Sequence, residues 1–239
     1  MVTTAPAPPA APVDLSGLGA VAGRVIAIDP GHNGANWQHT AEMNQQIWIG
    51  TQYKACDTAG TATNDGYSEA AYTFDVAVRL QAVLAAAGAQ VVLSRPDNSG
   101  FGPCIDERAY FGNRAQAAVA ISIHADGGPA SGRGYEANMP ANIAGYTDDI
   151  YAASHRLGVD IAQAFGAGTG MPPSTYYCCG GLIERSDFGG LNLSDVPKIL
   201  FETGNMRNAT DAALFKDSAF RQREAEALAA GLAAFLAGQ

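Results

Sequence analysis

The sequence has few charged side chains, and basic ones are the scarcer kind. Charged residues make up 15% of the 239 positions, and 14 Lys and Arg stand against 23 Asp and Glu, so the formal net charge is −9. No dense cluster of basic residues offsets this acidity at any point along the chain. Because nucleic-acid binding depends on such clusters to neutralise phosphates, the composition excludes a nucleic-acid partner. The 47% of hydrophobic residues excludes general disorder and predicts a globular protein.

A long hydrophobic run is also missing. The longest candidate, residues 227–238, is Ala-rich and shorter than the ~20 residues that a membrane span needs, so we expect no membrane-spanning segment. The first residues are rich in Ala and Pro and lack the charged and apolar parts of a signal peptide. We interpret residues 1–22 as the flexible leader of a mature exported protein whose signal peptide is absent from this chain. Residues 23–239 then form a single folded domain.

The four cysteines lack the CxxC spacing of a zinc knuckle, which argues against a structural zinc site of that kind. They permit three pairings, and neighbouring cysteines such as Cys178 and Cys179 rarely bond to each other. Cys56 and Cys104 both lie in loop-like sequence, and we favour a disulfide between them in an oxidising compartment. The alternative is four free thiols, as in a cytosolic protein.

Short apolar runs alternate with longer helical patterns, and no internal repeat interrupts them. This alternation predicts an α/β fold, a single domain with a mostly parallel twisted sheet and helices on both faces. The predicted strands cover residues 24–29, 90–94, 119–124, 134–139 and 198–202. The predicted helices cover residues 69–87, 106–118, 148–165 and 217–237. Two irregular stretches, 33–67 and 166–192, are long enough to suggest a function of their own or disorder.

Four ionisable residues stand where an ordinary core would not have them. His32, His124 and Glu202 each end or follow an apolar run that predicts a parallel strand. In open α/β sheets the carboxyl ends of the strands form the edge where ligands bind, so these residues are expected to meet there. Glu69 opens a helix and lies on the apolar stripe that faces the sheet, where a carboxylate needs a cation or hydrogen-bond donors. The structural alternative for Glu69 is a modest gain from the helix dipole.

Two histidines and one glutamate are the ligand set of a catalytic zinc site, in which a fourth position stays open for water. Glu202 would then accept a proton from that water as it attacks, which suits the hydrolysis of an amide. No HExxH-like local motif is present, so the residue types alone leave the metal hypothesis open.

Four short motifs carry a resemblance to a known family. They are Asp29-Pro30-Gly31-His32, Ser68-Glu69, Ser122-Ile123-His124-Ala125-Asp126 and Phe201-Glu202-Thr203-Gly204. Their order and context resemble the zinc-dependent N-acetylmuramoyl-L-alanine amidases of the amidase-3 type, and the similarity runs from about residue 24 to the C-terminus. One such motif would be weak evidence, but four on matching strands and helices are specific.

The resemblance implies that His32, Glu69 and His124 bind one Zn²⁺ per chain and that Glu202 is the catalytic carboxylate. It implies hydrolysis of the amide between N-acetylmuramic acid and L-alanine, in peptidoglycan or muramyl-peptide fragments, during cell-wall remodelling or turnover. Residues 23–239 would be the catalytic domain. We expect an extracytoplasmic protein, in the periplasm or cell wall, and a monomer, because no heptad or obvious apolar patch predicts association.

Two stretches depart from the family. The insert between the first histidine and Glu69 is longer than usual, and residues 172–181 form a loop with no recognised counterpart. Trp37, Trp48, Tyr176 and Tyr177 in these stretches are candidates to line a sugar or peptide groove. Simple packing of the loops is the alternative.

Several other polar residues have two interpretations. Arg95 and Arg108 are expected to form internal ion pairs, the alternative being a contact with carboxylates of the peptide stem. Asp29 and Asp126 are candidates to orient the neighbouring histidines, the alternative being simple capping of turns.

Two other functions remain open at this point. One is a zinc peptidase that cuts within the peptide stem by the same metal chemistry. The other is a wall-binding module with structural zinc. Glu202 argues against that module, because a structural site normally closes with a fourth protein ligand.

Overall fold

The computed structural model describes residues 12–239 and consists of eight strands and seven α-helices within that range. The strands are β1 (Val25–Pro30), β2 (Gln46–Trp48), β3 (Tyr53–Ala55), β4 (Gln90–Leu93), β5 (Val119–Asp126), β6 (Glu136–Pro140), β7 (Leu182–Arg185) and β8 (Lys198–Asn205). The helices are α1 (Thr40–Met43), α2 (Glu69–Ala86), α3 (Glu107–Arg114), α4 (Tyr151–Thr169), α5 (Gly189–Asn192), α6 (Ala209–Lys216) and α7 (Ser218–Ala237).

Six strands form one sheet in the order β4-β1-β5-β8-β6-β7, and β2 and β3 form a separate hairpin within the insert. β1 pairs in parallel with β4 and β5, and β5 pairs in parallel with β8. β6 runs antiparallel to β8 and parallel to β7. The predicted mostly parallel sheet is therefore confirmed, and β6 and β7 are the strands that reverse direction.

Hydrophobic side chains cover both faces of this sheet. On one face, α2, α4 and α7 pack over the main core, which contains aromatic contacts among Tyr135, Phe165 and Phe201. On the other face, α3 packs over a smaller cluster that includes Ala27 and Ala120. The predicted cover of helices on both faces is confirmed.

All five predicted strands and all four predicted helices occur, but some boundaries differ, and six short elements were not predicted: β2, β3, β7, α1, α5 and α6. α3 ends at Arg114 rather than at residue 118, since Gln116 takes a φ of 48° and turns the chain toward β5. The short strand β7 and the β2–β3 hairpin were not predicted. Both are three or four residues long and only partly buried, so they leave no apolar alternation of useful length.

The predicted leader, residues 1–22, falls partly outside the described residues, which begin at 12. Within the described part, Ser16–Val21 form a 3₁₀-helix and Val21 is fully buried in the main core. No helix in the range 12–239 is long and apolar enough to cross a membrane.

The four cysteines form two disulfides. Cys56 is bonded to Cys104, which ties the insert to the segment just before α3. Cys178 is bonded to Cys179, so the expectation that these neighbours would not pair is wrong. Cys179 takes a φ of 65° and Gly180 a φ of 64°, and this left-handed turn brings the adjacent side chains together.

Glu224 on α7 is a buried carboxyl group in a polar network inside the main core. The Tyr72 hydroxyl lies 2.7 Å from Glu224 Oε1 and 2.7 Å from Thr203 Oγ1. Burial, reinforced by the charges of Asp211 and Asp75, raises the pKa of Glu224 to about 8. The folded protein therefore keeps this carboxyl protonated at neutral pH, whereas the unfolded chain releases the proton near pH 4.5.

This pKa predicts a pH-dependent stability. Because the folded pKa is the higher one, the contribution of neutral Glu224 is fully present below about pH 4.5 and is lost as the pH rises to about 8. The loss amounts to at most ~1.4 kcal/mol per pH unit. We expect Glu224→Gln, which cannot ionise, to flatten the fall of Tm between pH 5.5 and 8.5, measured by circular dichroism. Glu226→Gln, two residues further along α7, is the control, and parallel curves for Glu224→Gln and wild type would contradict the assignment.

Candidate active site

The carboxyl edge of the central strands brings together the four residues singled out in the sequence. His32 follows β1, His124 lies in β5, and Glu202 lies in β8 as the register partner of His124. Glu69 is the first residue of α2. Ser68 fixes that start, because its side chain accepts a hydrogen bond from the backbone N–H of Ala71.

Glu69 bridges the two histidines. Its carboxylate is 4% exposed, with Oε1 lying 2.9 Å from His124 Nδ1 and Oε2 lying 3.2 Å from His32 Nε2. The backbone N–H groups of Thr61 and Ala125 donate to the same two oxygens. Every part of this carboxylate is therefore fixed, and it faces the imidazole rings.

The three side chains fit a zinc ion. One donor atom from each of His32, Glu69 and His124 lies within 4.8 Å of the other two, and two imidazoles with a carboxylate are a typical zinc ligand set. Burial alone would lower the pKa of His32, but the carboxylates of Glu69 and Asp57 outweigh it and raise that pKa to about 10. The surroundings thus strongly favour a positive charge at this point.

Asp57 contacts the nitrogen of the His32 ring that lies on the opposite side from Glu69. Its Oδ1 lies 2.9 Å from His32 Nδ1, which leaves Nε2 of the ring turned toward Glu69. Its Oδ2 accepts a hydrogen bond of 2.9 Å from Arg108. Sequence reasoning missed Asp57, because it lies in the irregular insert and only its neighbour Cys56 marked that position.

Asp29 lies below this pair and does not touch a histidine, so the predicted orienting role is wrong. It accepts hydrogen bonds from Ser94, Ser122 and Arg108, and Lys198 Nζ lies 3.5 Å from its Oδ2. Burial would raise the pKa of Asp29, but Arg108 and Lys198 outweigh it and hold the pKa far below its ordinary range. Asp29 is ionised and reaches His32 only through other side chains.

The two arginines differ in their partners. Arg108 forms the predicted internal ion pairs, with Asp29 and Asp57. Arg95 forms no ion pair within residues 12–239, so the prediction is wrong for this arginine. Its guanidinium donates chiefly to backbone carbonyls, among them those of Pro30 and Ala70. Arg95 thereby joins the end of β1 to the first turn of α2.

Asp126 also has no contact with a histidine, so its predicted orienting role is wrong. Its Oδ1 accepts from the backbone N–H of Gly127, which is the turn-capping alternative, and its Oδ2 accepts from the Tyr176 hydroxyl at 2.9 Å.

Glycine at position 31 is required by the close approach of the two histidine segments. A Cβ at Gly31 would lie 2.4 Å from the His124 ring, too close for any side chain. His32 itself takes a φ of 56°, a left-handed conformation that a non-glycine residue seldom adopts. The Pro-Gly-His motif therefore serves to bring the ring of His32 over the sheet edge.

Glu202 lies beside the three donor residues with a free oxygen. Its Oε2 is buried and has no hydrogen-bond partner within residues 12–239. Burial, together with the like charges of Glu69, Asp126 and Glu136, raises the pKa of Glu202 well above its ordinary value. These surroundings favour the protonated form of the Glu202 carboxyl, and a carboxyl is one of the groups that serve as general acid or base.

Two cavities meet at the histidines. One is lined by Ile105, Phe188 and Leu200, with Lys54 of the hairpin at its wall. The other, which we call the polar cavity because three carboxyl groups line it, is bounded by Glu69, Asp126 and Glu202 and shares Phe188 and Leu200 with the first. Lys54 Nζ donates to the Asp187 carbonyl at 2.8 Å. Because both residues line the first cavity, this hydrogen bond connects the insert to the segment after β7 across that cavity.

The four aromatic groove candidates differ in position. Trp37 is 66% exposed, Trp48 forms an exposed pair with Tyr53 on the hairpin, and neither tryptophan lines the two cavities described above. The Tyr176 hydroxyl instead donates to Asp126, which lines the second cavity, and the Tyr177 ring packs against Tyr176.

A family model described as N-acetylmuramoyl-L-alanine amidase (Amidase_3) matches residues 26–234. The chain is 43% identical over 223 residues to the N-acetylmuramoyl-L-alanine amidase Rv3717 of Mycobacterium tuberculosis, an alignment that covers 92% of this chain and 89% of that protein.

Two solved structures are similar over nearly their whole length. The N-acetylmuramyl-L-alanine amidase of Mycobacterium smegmatis has 40% identity and a TM-score of 0.86, covering 92% of this chain and 99% of that one. The apo form of the enzyme from Mycobacterium abscessus has 38% identity and a TM-score of 0.84, covering 90% of this chain and 100% of that one.

The contact between Asp57 and His32 predicts an effect on metal affinity. Carboxylates that hold the second nitrogen of a histidine ligand typically change metal affinity 10–100-fold when they are lost. We expect Asp57→Asn to weaken zinc binding by about that factor, measured by competition with a chromophoric chelator. Glu42→Gln, which removes a carboxylate beside the half-exposed His39, is the control. Unchanged zinc affinity in folded Asp57→Asn would contradict the supporting role.

Proposed function

The chain belongs to the N-acetylmuramoyl-L-alanine amidase family, and from this premise we propose that its reaction uses a zinc ion held by His32, Glu69 and His124 and a proton carried by Glu202. The reaction is hydrolysis of the amide bond between N-acetylmuramic acid and L-alanine in peptidoglycan. The observation that carries the proposal is the closeness of the three donor atoms, within 4.8 Å of one another. The unpartnered Oε2 of Glu202 beside them supports the proton-transfer role.

The side chains divide the chemistry between them. A bound zinc ion supplies Lewis acidity, which polarises a carbonyl oxygen and makes nearby water more acidic. Glu69 and the two histidines hold the metal in place, and Asp57 keeps Nε2 of His32 turned toward it. Glu202 accepts one proton from the attacking water, whose oxygen forms the new bond to the lactyl carbonyl carbon. It then gives the proton to the alanine nitrogen as the C–N bond breaks.

The raised pKa of Glu202 suits this double role. A carboxyl with an ordinary pKa would be a weak acid catalyst at neutral pH, because it would have almost no proton to donate. Burial and the surrounding carboxylates shift the pKa upward, and a cation at the adjacent site acts in the opposite direction. These opposing effects act on the same carboxyl, the one that must both take and return a proton.

The setting of the reaction is also part of the proposal. Disulfides persist in oxidising compartments, and the Cys56–Cys104 bond supports an extracytoplasmic location in the periplasm or cell wall. We propose that residues 23–239 act as the catalytic domain on polymeric wall or on muramyl-peptide fragments. The monomeric state stays a prediction.

Product analysis tests the proposal directly. The protein is incubated as isolated, after chelation, and after zinc is added back, with N-acetylmuramyl-L-alanyl-D-isoglutamine as substrate and mass spectrometry as readout. We expect N-acetylmuramic acid and an intact dipeptide with L-alanine at its free amino end, lost on chelation and restored by zinc. Cleavage inside the peptide would instead indicate a zinc peptidase. Bound zinc without any cleavage would indicate a binding module.

Glu202→Gln separates the catalytic role from a ligand role. The amide keeps the shape of the side chain but cannot carry the proton, so we expect kcat to fall by about 10²–10⁴-fold while zinc stays bound. Glu69→Gln is the comparison, because removing a ligand charge should lower zinc affinity as well. If Glu202→Gln lost zinc as readily as Glu69→Gln, Glu202 would be a fourth ligand and the site would be structural.

A further inference from the structure

The strand that carries Glu202 is irregular immediately after that residue. Glu202 of β8 is the register partner of His124 of β5, but two residues further along β5 the partner lies three residues further along β8. One residue of β8 is therefore extra, within the pair Thr203–Gly204, and forms a β-bulge. Bulges are frequent next to active sites, where they change the direction of a side chain. The direction of the Glu202 side chain thus depends on how this bulge is held.

Three side chains in the main core support the bulge, and we call them the core chain: Thr203, Tyr72 and Glu224. The Thr203 hydroxyl donates to the His124 carbonyl at 3.1 Å and lies 2.7 Å from the Tyr72 hydroxyl. The Tyr72 hydroxyl lies 2.7 Å from Glu224 Oε1. All three side chains belong to fully buried residues, so bulk water does not compete for these contacts.

The number of available protons decides how the core chain is bonded. The contacts join Glu224 to Tyr72, Tyr72 to Thr203, and Thr203 to the His124 carbonyl. A hydroxyl donates one proton, and a carbonyl oxygen or a carboxylate donates none. If Glu224 were ionised, the two hydroxyl groups would supply only two of these contacts, and one would be left without a proton. With Glu224 protonated, every contact has one donor.

The surroundings of Glu224 agree with a protonated carboxyl. Burial, with the charges of Asp211 and Asp75, raises its pKa to about 8. Its Oε2 has no hydrogen-bond partner within residues 12–239, and a buried carboxylate without donors is unstable. The positive charge of Arg221 acts on Glu224 in the opposite direction, but its guanidinium is paired with Asp75. The core chain therefore donates in one direction, from Glu224 toward the bulge.

The core chain also joins the elements that build the site. Tyr72 lies three residues after Glu69 on α2, and Thr203 directly follows Glu202 on β8. The Tyr72 ring packs against Phe215, with the ring centroids 4.5 Å apart, so its hydroxyl is held in place. Neither of the two cavities at the histidines is lined by a residue of the core chain. These side chains therefore act on the site through Glu202 and the backbone, not by touching substrate.

We propose that the core chain, with Glu224 protonated, holds the bulge of β8 and so fixes the Glu202 carboxyl in position for proton transfer. The inference rests on the proposed function, because proton transfer by Glu202 is part of that function. Tyr72, Thr203 and Glu224 are positioning residues. Their loss should lower kcat more than it changes KM or zinc affinity.

Turnover of N-acetylmuramyl-L-alanyl-D-isoglutamine tests the positioning role. Tyr72→Phe removes a single oxygen from the core chain, and we expect kcat to fall about tenfold with KM and bound zinc nearly unchanged. Glu224→Leu removes the first donor and should have the same effect. Glu224→Gln supplies an amide N–H that can donate to Tyr72, so it should keep kcat close to that of the wild type.

The matched control for lost stability is Val76→Ala. Val76 is fully buried in the same core, one turn after Tyr72 on α2, and is not part of the core chain. We expect this variant to have a lower Tm, measured by circular dichroism, and an unchanged kcat at a temperature where every variant is folded.

Two further measurements need no turnover. Infrared spectra of zinc-loaded protein at neutral pH should show a protonated-carboxyl band in the wild type that is missing in Glu224→Gln. Crystal structures of zinc-loaded protein should show the Glu202 carboxyl displaced in Tyr72→Phe and unmoved in Val76→Ala. Both results would stand even if the wild type failed to cleave the amide, so a failure of the inference can be distinguished from a failure of the proposed function.

Other outcomes would overturn the inference. Identical infrared spectra for the wild type and Glu224→Gln would mean that Glu224 is ionised and that the core chain lacks its first donor. An unchanged kcat or an unmoved Glu202 in Tyr72→Phe, or an equal loss of kcat in Val76→Ala, would mean that the core chain only stabilises the fold. A loss in Glu224→Gln as large as in Glu224→Leu would mean that the donated proton is not what matters.

Discussion

The bridge that Glu69 forms between His32 and His124 is the contact on which the site depends. A buried carboxylate is stable only with donors or a cation, and Glu69 has two backbone N–H groups and two imidazole rings around it. The bridge needs three elements in register: the end of β1, the end of β5 and the first turn of α2. It also needs Gly31, because any Cβ there would displace the His124 ring.

A buried charge network connects this bridge to the sheet. Arg108 is paired with both Asp29 and Asp57, and Lys198 approaches Asp29 from below while donating to the Arg108 carbonyl. Two carboxylates and two cations therefore balance one another in a buried region. Removing one partner of a buried ion pair destabilises a protein strongly, because the remaining charge is left without compensation. Asp57 belongs to the insert and follows Cys56. The Cys56–Cys104 disulfide and the ion pair of Asp57 with Arg108 together hold the insert against Nδ1 of His32. The insert therefore contributes directly to the surroundings of His32.

The sequence was sufficient to predict the central strands and the residues at their ends, since long apolar runs and ionisable residues at strand ends are both local signals. The position of Glu69 was predictable too, from its place on the apolar stripe of α2. The contacts of Asp57 and Tyr176 and the existence of strand β7 were harder to predict. Each of them depends on how an irregular stretch of chain folds back over the sheet. Asp29 and Asp126 were assigned to the histidines on proximity in sequence, yet each has stronger partners: cations for Asp29, and a tyrosine hydroxyl for Asp126. Proximity along the chain says little about partners once several charged groups compete for the same space.

The reversal of β6 explains why Glu202 is in such strongly acidic surroundings. Since β6 runs antiparallel to β8, its first residue, Glu136, is the register partner of Glu202, and the row across three strands reads His124, Glu202, Glu136. Burial raises the pKa of Glu136 to about 7, so the carboxyl at the far end of the row is only partly ionised at physiological pH. The near end is occupied by His124, which Glu69 bridges to His32. Glu202 thus lies between His124 and Glu136, and the direction of β6 is what brings the Glu136 carboxyl into that row.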